Sequence, residues 1–74
     1  MAKHRQLVIC VDNSGYEASL ERRKIYEALA DAAAAKRSLL RIIDESGEDY
    51  LYPDSMFVTA ALPDAIRRAV LHAA

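Results

Sequence analysis

The sequence predicts one small domain, mainly β with a C-terminal α-helix, and three stretches carry that expectation. LVICV, Leu7 to Val11, is an apolar, β-branched-rich run halted by Asp12, Asn13, Ser14 and Gly15, as a buried strand entering a turn should be. LLRIID, Leu39 to Asp44, and DYLYP, Asp49 to Pro53, bracket a second Ser-Gly turn and read as a β-hairpin. Leu62, Ile66, Ala69, Val70 and Ala73 recur at helical spacing, with Arg67, Arg68 and His72 on the other face. Pro63 and Asp64 suit the start of that helix, because proline lacks a donor the first turn does not need and the carboxylate complements the dipole.

VDNSG at Val11 to Gly15 returns as IDESG at Ile43 to Gly47. Both copies supply turn chemistry: an Asp that can bond the backbone two residues on, and a Gly free to take positive φ. The repeat is one turn used twice. Between the copies, EASLERRKIYEALADAAAAKR, Glu17 to Arg37, consists almost wholly of helix formers, with Ile25, Ala28, Leu29, Ala32 and Ala33 at helical spacing. KIYEAL also alternates Ile25, Glu27 and Leu29 against Tyr26 and Ala28, as a half-buried strand would. Local pattern leaves both readings open, a long helix giving a β-α-β-β-α sandwich.

CVDNSGYEASLERRKIYEAL and LLRIIDESGEDYLYPDSMF resemble a family of small uncharacterised bacterial proteins. Its pattern runs Cys-hydrophobic-Asp-Asn-x-Gly-Tyr-x-x-Ser-Leu, then Lys-x-Tyr, then Asp-x-Ser-Gly-Glu-Asp-Tyr-Leu-Tyr-Pro and a Phe. The match covers most of Cys10 to Phe57. The resemblance implies a Src-homology-3-like five-stranded barrel over about 6–61, with strands Leu7–Val11, Lys24–Leu29, Leu39–Asp44, Asp49–Tyr52 and Phe57–Ala60. DAAAAKR becomes a helical turn within one connection, and the C-terminal helix spans about 63–73. The chain departs from the pattern at Arg22 and Arg23, where Leu-Gly usually precedes the lysine.

Composition restricts the chemistry. The 74 residues carry 10 basic and 11 acidic side chains, a net charge of −1, so no overall field draws nucleic acid or an anionic membrane. A single core of this size leaves a margin of only a few kcal/mol. The lone Cys10 excludes an internal disulfide, and no Cys/His cluster offers a structural metal, so packing or self-association must supply support. LVICV is too short for a signal-peptide core or membrane span, which leaves a cytoplasmic domain with a free thiol as the expectation.

Asp44, Ser46 and Glu48 alternate like the start of a calcium loop, but Gly47 is fourth and Ser55 twelfth, where an EF-hand requires Gly sixth and Glu twelfth. No metal and no cofactor are expected. His4 and His72 lie near the termini and Cys10 lies inside an apolar strand, so no catalytic set is expected and the chain reads as no enzyme. Tyr50, Tyr52, Pro53 and Phe57 could line an aromatic groove for an extended protein segment, which makes an unidentified protein the expected partner. The alternative is a nucleic-acid-binding barrel using Arg22, Arg23 and Lys24, opposed by Asp44, Glu45, Glu48 and Asp49 on the same small molecule. A monomer is favoured over a homodimer, the C-terminal helix closing its own barrel in preference to packing on a second copy. Either packing makes Ile66→Asp destabilising.

Overall fold

The computed structural model describes residues 5–73; His4 lies outside them. Strands β1 (Arg5–Cys10), β2 (Ile25–Leu29), β3 (Leu39–Ile43), β4 (Asp49–Pro53) and β5 (Phe57–Thr59) form one antiparallel sheet in the order β4-β3-β2-β1-β5. The sheet curls into a half-barrel, with β4 and β5 as its edges. One helical turn, α1 (Ala32–Ala35), sits between β2 and β3, a 3-10 turn (Asp54–Met56) precedes β5, and α2 (Asp64–His72) ends the described chain. The fold is therefore mainly β with a C-terminal helix.

Alternation along the strands divides two layers. Val8, Cys10, Tyr26, Ala28, Ile42, Tyr52, Met56 and Phe57 fill the inside of the curl, joined by Leu20 from the long β1–β2 connection. Leu20 and Ile42 are 0 % exposed. On the outer face Leu7, Glu27 and Ile43 stand side by side across three strands. With Val70 and Leu71 of α2 and Ala73 just beyond it, they line a cleft of about 470 Å³.

The long-helix alternative for Glu17 to Arg37 does not hold, because KIYEAL enters the sheet centre as β2, paired on both sides. Tertiary pairing satisfies every backbone group of a central strand while burying Tyr26 and Ala28, which an isolated helix could not do. Positive φ angles at Arg23 (70°), within this segment, and at Ser38 (59°), just after it, break any helix at those points. DAAAAKR does keep its helical character: Asp31 accepts the Ala34 N–H at 3.0 Å as the N-cap of α1.

Arg23 adopts the left-handed conformation while donating its N–H to the Cys10 carbonyl at 2.7 Å. A Cβ there carries a steric cost that glycine avoids. Arg23→Gly is therefore expected to stabilise the domain by about 0.5–1 kcal/mol, partly offset by the freer unfolded chain. Urea unfolding measures it, and a destabilised variant would show that the arginine side chain, not its backbone, holds the turn.

The apolar face expected for α2 is rotated. Arg67, Val70 and Leu71 are half-buried toward the sheet, whereas Ile66 is 51 % exposed and Ala69 and Ala73 are exposed. The short connection fixes this rotation, since the Ala60 N–H is tied to the Leu7 carbonyl at 2.9 Å and leaves few residues before Pro63. Ile66→Asp thus puts its carboxylate into water, contrary to the loss of stability expected from the sequence.

Candidate functional site

The two sequence-repeat turns share one Asp-Ser-Gly arrangement. Asp12 Oδ1 accepts from the Ser14 N–H (3.0 Å) and hydroxyl (2.7 Å), and Gly15 takes φ 86°. Asp44 Oδ1 accepts from the Ser46 N–H (2.9 Å) and hydroxyl, and Gly47 takes φ 83°. Their second oxygens differ in use. Asp44 is buried, and its Oδ2 accepts the Tyr52 hydroxyl at 2.6 Å, which lies 2.9 Å from Ser19 Oγ.

This arrangement fastens the long β1–β2 connection to the β3–β4 hairpin. Glu45 donates its N–H to the Ser19 carbonyl at 3.1 Å. Its carboxylate accepts the Tyr26 hydroxyl at 2.6 Å and pairs with Lys24 Nζ. The Tyr26 oxygen in turn accepts the Glu21 N–H at 2.7 Å, and Lys24 sits 5.7 Å from the Tyr26 ring centroid. Burial, reinforced by the Glu45 hydrogen bond, pushes the Tyr26 phenol far above its ordinary range. Ser19, Tyr52 and Asp44 resemble a catalytic relay on paper. In space they form an anchor, since the Tyr52 ring is 4 % exposed and its hydroxyl faces inward.

The four residues expected to line an aromatic groove separate. Tyr52 and Phe57 are core residues whose rings meet edge to face at 6.3 Å, and Pro53 is half-buried. Tyr50 alone presents its ring to solvent, at 51 % exposure. The strand's alternation is responsible: Tyr50 and Tyr52 share the inner face, but only Tyr52 lies beneath the connection that carries Leu20. Tyr16, which the groove did not include, packs edge to face on Tyr52 at 5.0 Å and is 40 % exposed. An aromatic directly after a turn glycine was the available signal for it. The basic cluster is also divided, with Arg22 and Arg23 exposed on their turn while Lys24 is held by Glu45.

Among the described residues six large apolar side chains are exposed: Val11, Tyr16, Tyr50, Leu51, Val58 and Ile66. Tyr16, Tyr50 and Leu51 gather at the β4 edge, Tyr50 on the inner face, Leu51 on the outer, and Tyr16 against Tyr52. The backbone there is also open. The Asp44 N–H bonds the Glu48 carbonyl and the Asp54 N–H bonds the Ser38 carbonyl, so Glu48, Tyr50, Tyr52 and Asp54 face β3. The N–H and C=O groups of Asp49 and Leu51 consequently point off the sheet edge, where Pro53 offers a carbonyl and no donor. Carboxylates border the site: Tyr50 donates to Glu48 at 3.4 Å, and the nearby negative charge of Glu48 raises its phenol. Arg41 holds Asp49 at 3.0 Å and Asp31 at 2.8 Å.

Comparison with protein-family models, curated proteins and solved structures yields no match for this chain.

Proposed function

We propose that the chain is a non-catalytic, Src-homology-3-like cytoplasmic interaction domain of the small bacterial family it resembles, and that it recognises a protein segment at the β4 edge. The observation that carries this reading is the coincidence of open backbone groups at Asp49 and Leu51 with exposed Tyr50, Leu51 and Tyr16. An added strand would gain main-chain hydrogen bonds along the edge, and its alternate side chains would meet tyrosines on one face and Leu51 on the other. A consecutive five-strand antiparallel order with the last strand returning to the first supports the barrel class. The nucleic-acid reading has less support. Lys24 is committed to Glu45, and the exposed aromatic Tyr50 lies among carboxylates that repel phosphate.

An arrayed library of extended peptides, with hits titrated into isotope-labelled protein, tests this. Saturable amide shifts are expected at Tyr16, Asp49 and Leu51. Absence of any peptide hit, or shifts confined to Arg22 to Lys24 on adding a single-stranded oligonucleotide, would overturn the reading.

A further inference from the structure

We infer that the strand occupying this edge is the β4 of a second copy, paired antiparallel about a two-fold axis through Leu51. The inference rests on the edge-recognition reading and names its partner.

The edge is complementary to itself when Leu51 lies on the axis. With Leu51 on the axis, residue i of one copy faces residue 102 − i of the other, so Leu51 meets Leu51, Asp49 meets Pro53 and Tyr50 meets Tyr52. Leu51 then exchanges N–H and C=O with its counterpart. The Asp49 N–H of each copy meets the Pro53 carbonyl of the other, so every outward donor of the strand is used. Pro53 has no donor to waste, and it falls where the partner would otherwise have to supply a second acceptor. A one-residue slip would set outward-facing groups opposite residues whose groups face β3, and a two-residue slip would part the Leu51 side chains, set Asp49 opposite Leu51 and put Tyr50 against its own copy.

Side chains select the same register. On the inner face Tyr50 comes to lie beside the partner's Tyr52 and the partner's Tyr16 that packs on it, which covers the two exposed tyrosine rings of each copy. On the outer face the two Leu51 side chains cover one another. Asp49, the strand's one charge, sits opposite proline instead of its own copy and is already paired with Arg41, which it shares with Asp31. With a net charge of −1 the two copies carry little mutual repulsion. The pairing is also closed, because it consumes β4 in both copies and leaves only the three-residue β5 as an outer edge. Self-association of this kind gives a small core the support that its size calls for.

Sedimentation of the intact chain across a wide concentration range tests the pairing, with amide spectra confirming the fold of each variant. Leu51→Lys and Leu51→Glu each place like charges on the axis and should weaken self-association about tenfold or more. Mixed in equal amounts, those two variants should form a heterodimer at concentrations where each alone is monomeric. Ile66→Asp, on the exposed side of α2, should leave association unchanged. A wild-type monomer at every concentration overturns the inference, as does a dimer that Ile66→Asp breaks and the Leu51 variants do not. A monomer that still binds library peptides at Asp49 and Leu51 would refute the self-pairing alone and leave edge recognition standing.

Discussion

Replacing Tyr52 with alanine is expected to cost about 3–5 kcal/mol, which for a chain of 74 residues means a largely unfolded protein at room temperature. Two losses coincide. The ring is 4 % exposed and meets Tyr16 at 5.0 Å and Phe57 at 6.3 Å, so its removal leaves a cavity between the β1–β2 connection and the sheet. The hydroxyl donates to buried Asp44, so its removal also strips a partner from a carboxylate with little access to water. Tyr52→Phe separates these losses. It keeps the ring and leaves Asp44 Oδ2 one donor short, for an expected cost of about 1–3 kcal/mol. Denaturant unfolding followed by circular dichroism measures both. A Tyr52→Ala variant within 1 kcal/mol of the parent would refute the anchor, and a phenylalanine variant as unstable as the alanine one would assign the whole effect to the hydroxyl.

Strand positions were legible in the residues because the short apolar runs are each stopped by turn chemistry that works locally. Asp44, Ser46 and Gly47 form a turn wherever they occur, and the hairpin they join needs no distant partner to be read. Glu17 to Arg37 was illegible for the opposite reason. Its local preference is helical, and the deciding interactions lie elsewhere in the chain: Ile25 against Ile9, Ala28 against Ile42, Tyr26 against Glu45. The groove failed on a similar point. A period of two places Tyr50 and Tyr52 on one face but does not say that Leu20 and Ser19 come down over Tyr52 alone. The exposed pair Tyr16 and Tyr50 is a product of that same connection. Nothing in the spacing of Leu62, Ile66 and Val70 reports the tie between Ala60 and Leu7 that rotates α2.

Acid should dissolve the same anchor, and the direction follows from the carboxylates. Burial alone would raise Asp44, but the Ser46 hydroxyl, the Tyr52 hydroxyl and the Ser46 amide together hold it below the ordinary carboxylate range. Lys24 and then Tyr26 lower Glu45, and the Ala34 amide and then Arg41 lower Asp31. Each folded carboxylate releases its proton more readily than the unfolded chain does. Their contribution is therefore complete above the unfolded value near pH 4 and is lost as pH falls through the lower folded values. Stability should be nearly level from about pH 7 to 5 and should decline steeply between about pH 4 and 2. Asp44 is the most buried of the three, so solvent screens its contribution least. Asp44→Asn should lower stability at neutral pH, since the amide cannot accept at both positions, and should flatten the acid decline because one titrating group is gone. Denaturant midpoints collected across this pH range for the parent and the variant decide it. Two curves that stay parallel from pH 5 to pH 2 would show that Asp44 carries none of the acid sensitivity, and the hairpin anchor would then rest on Glu45 and its lysine.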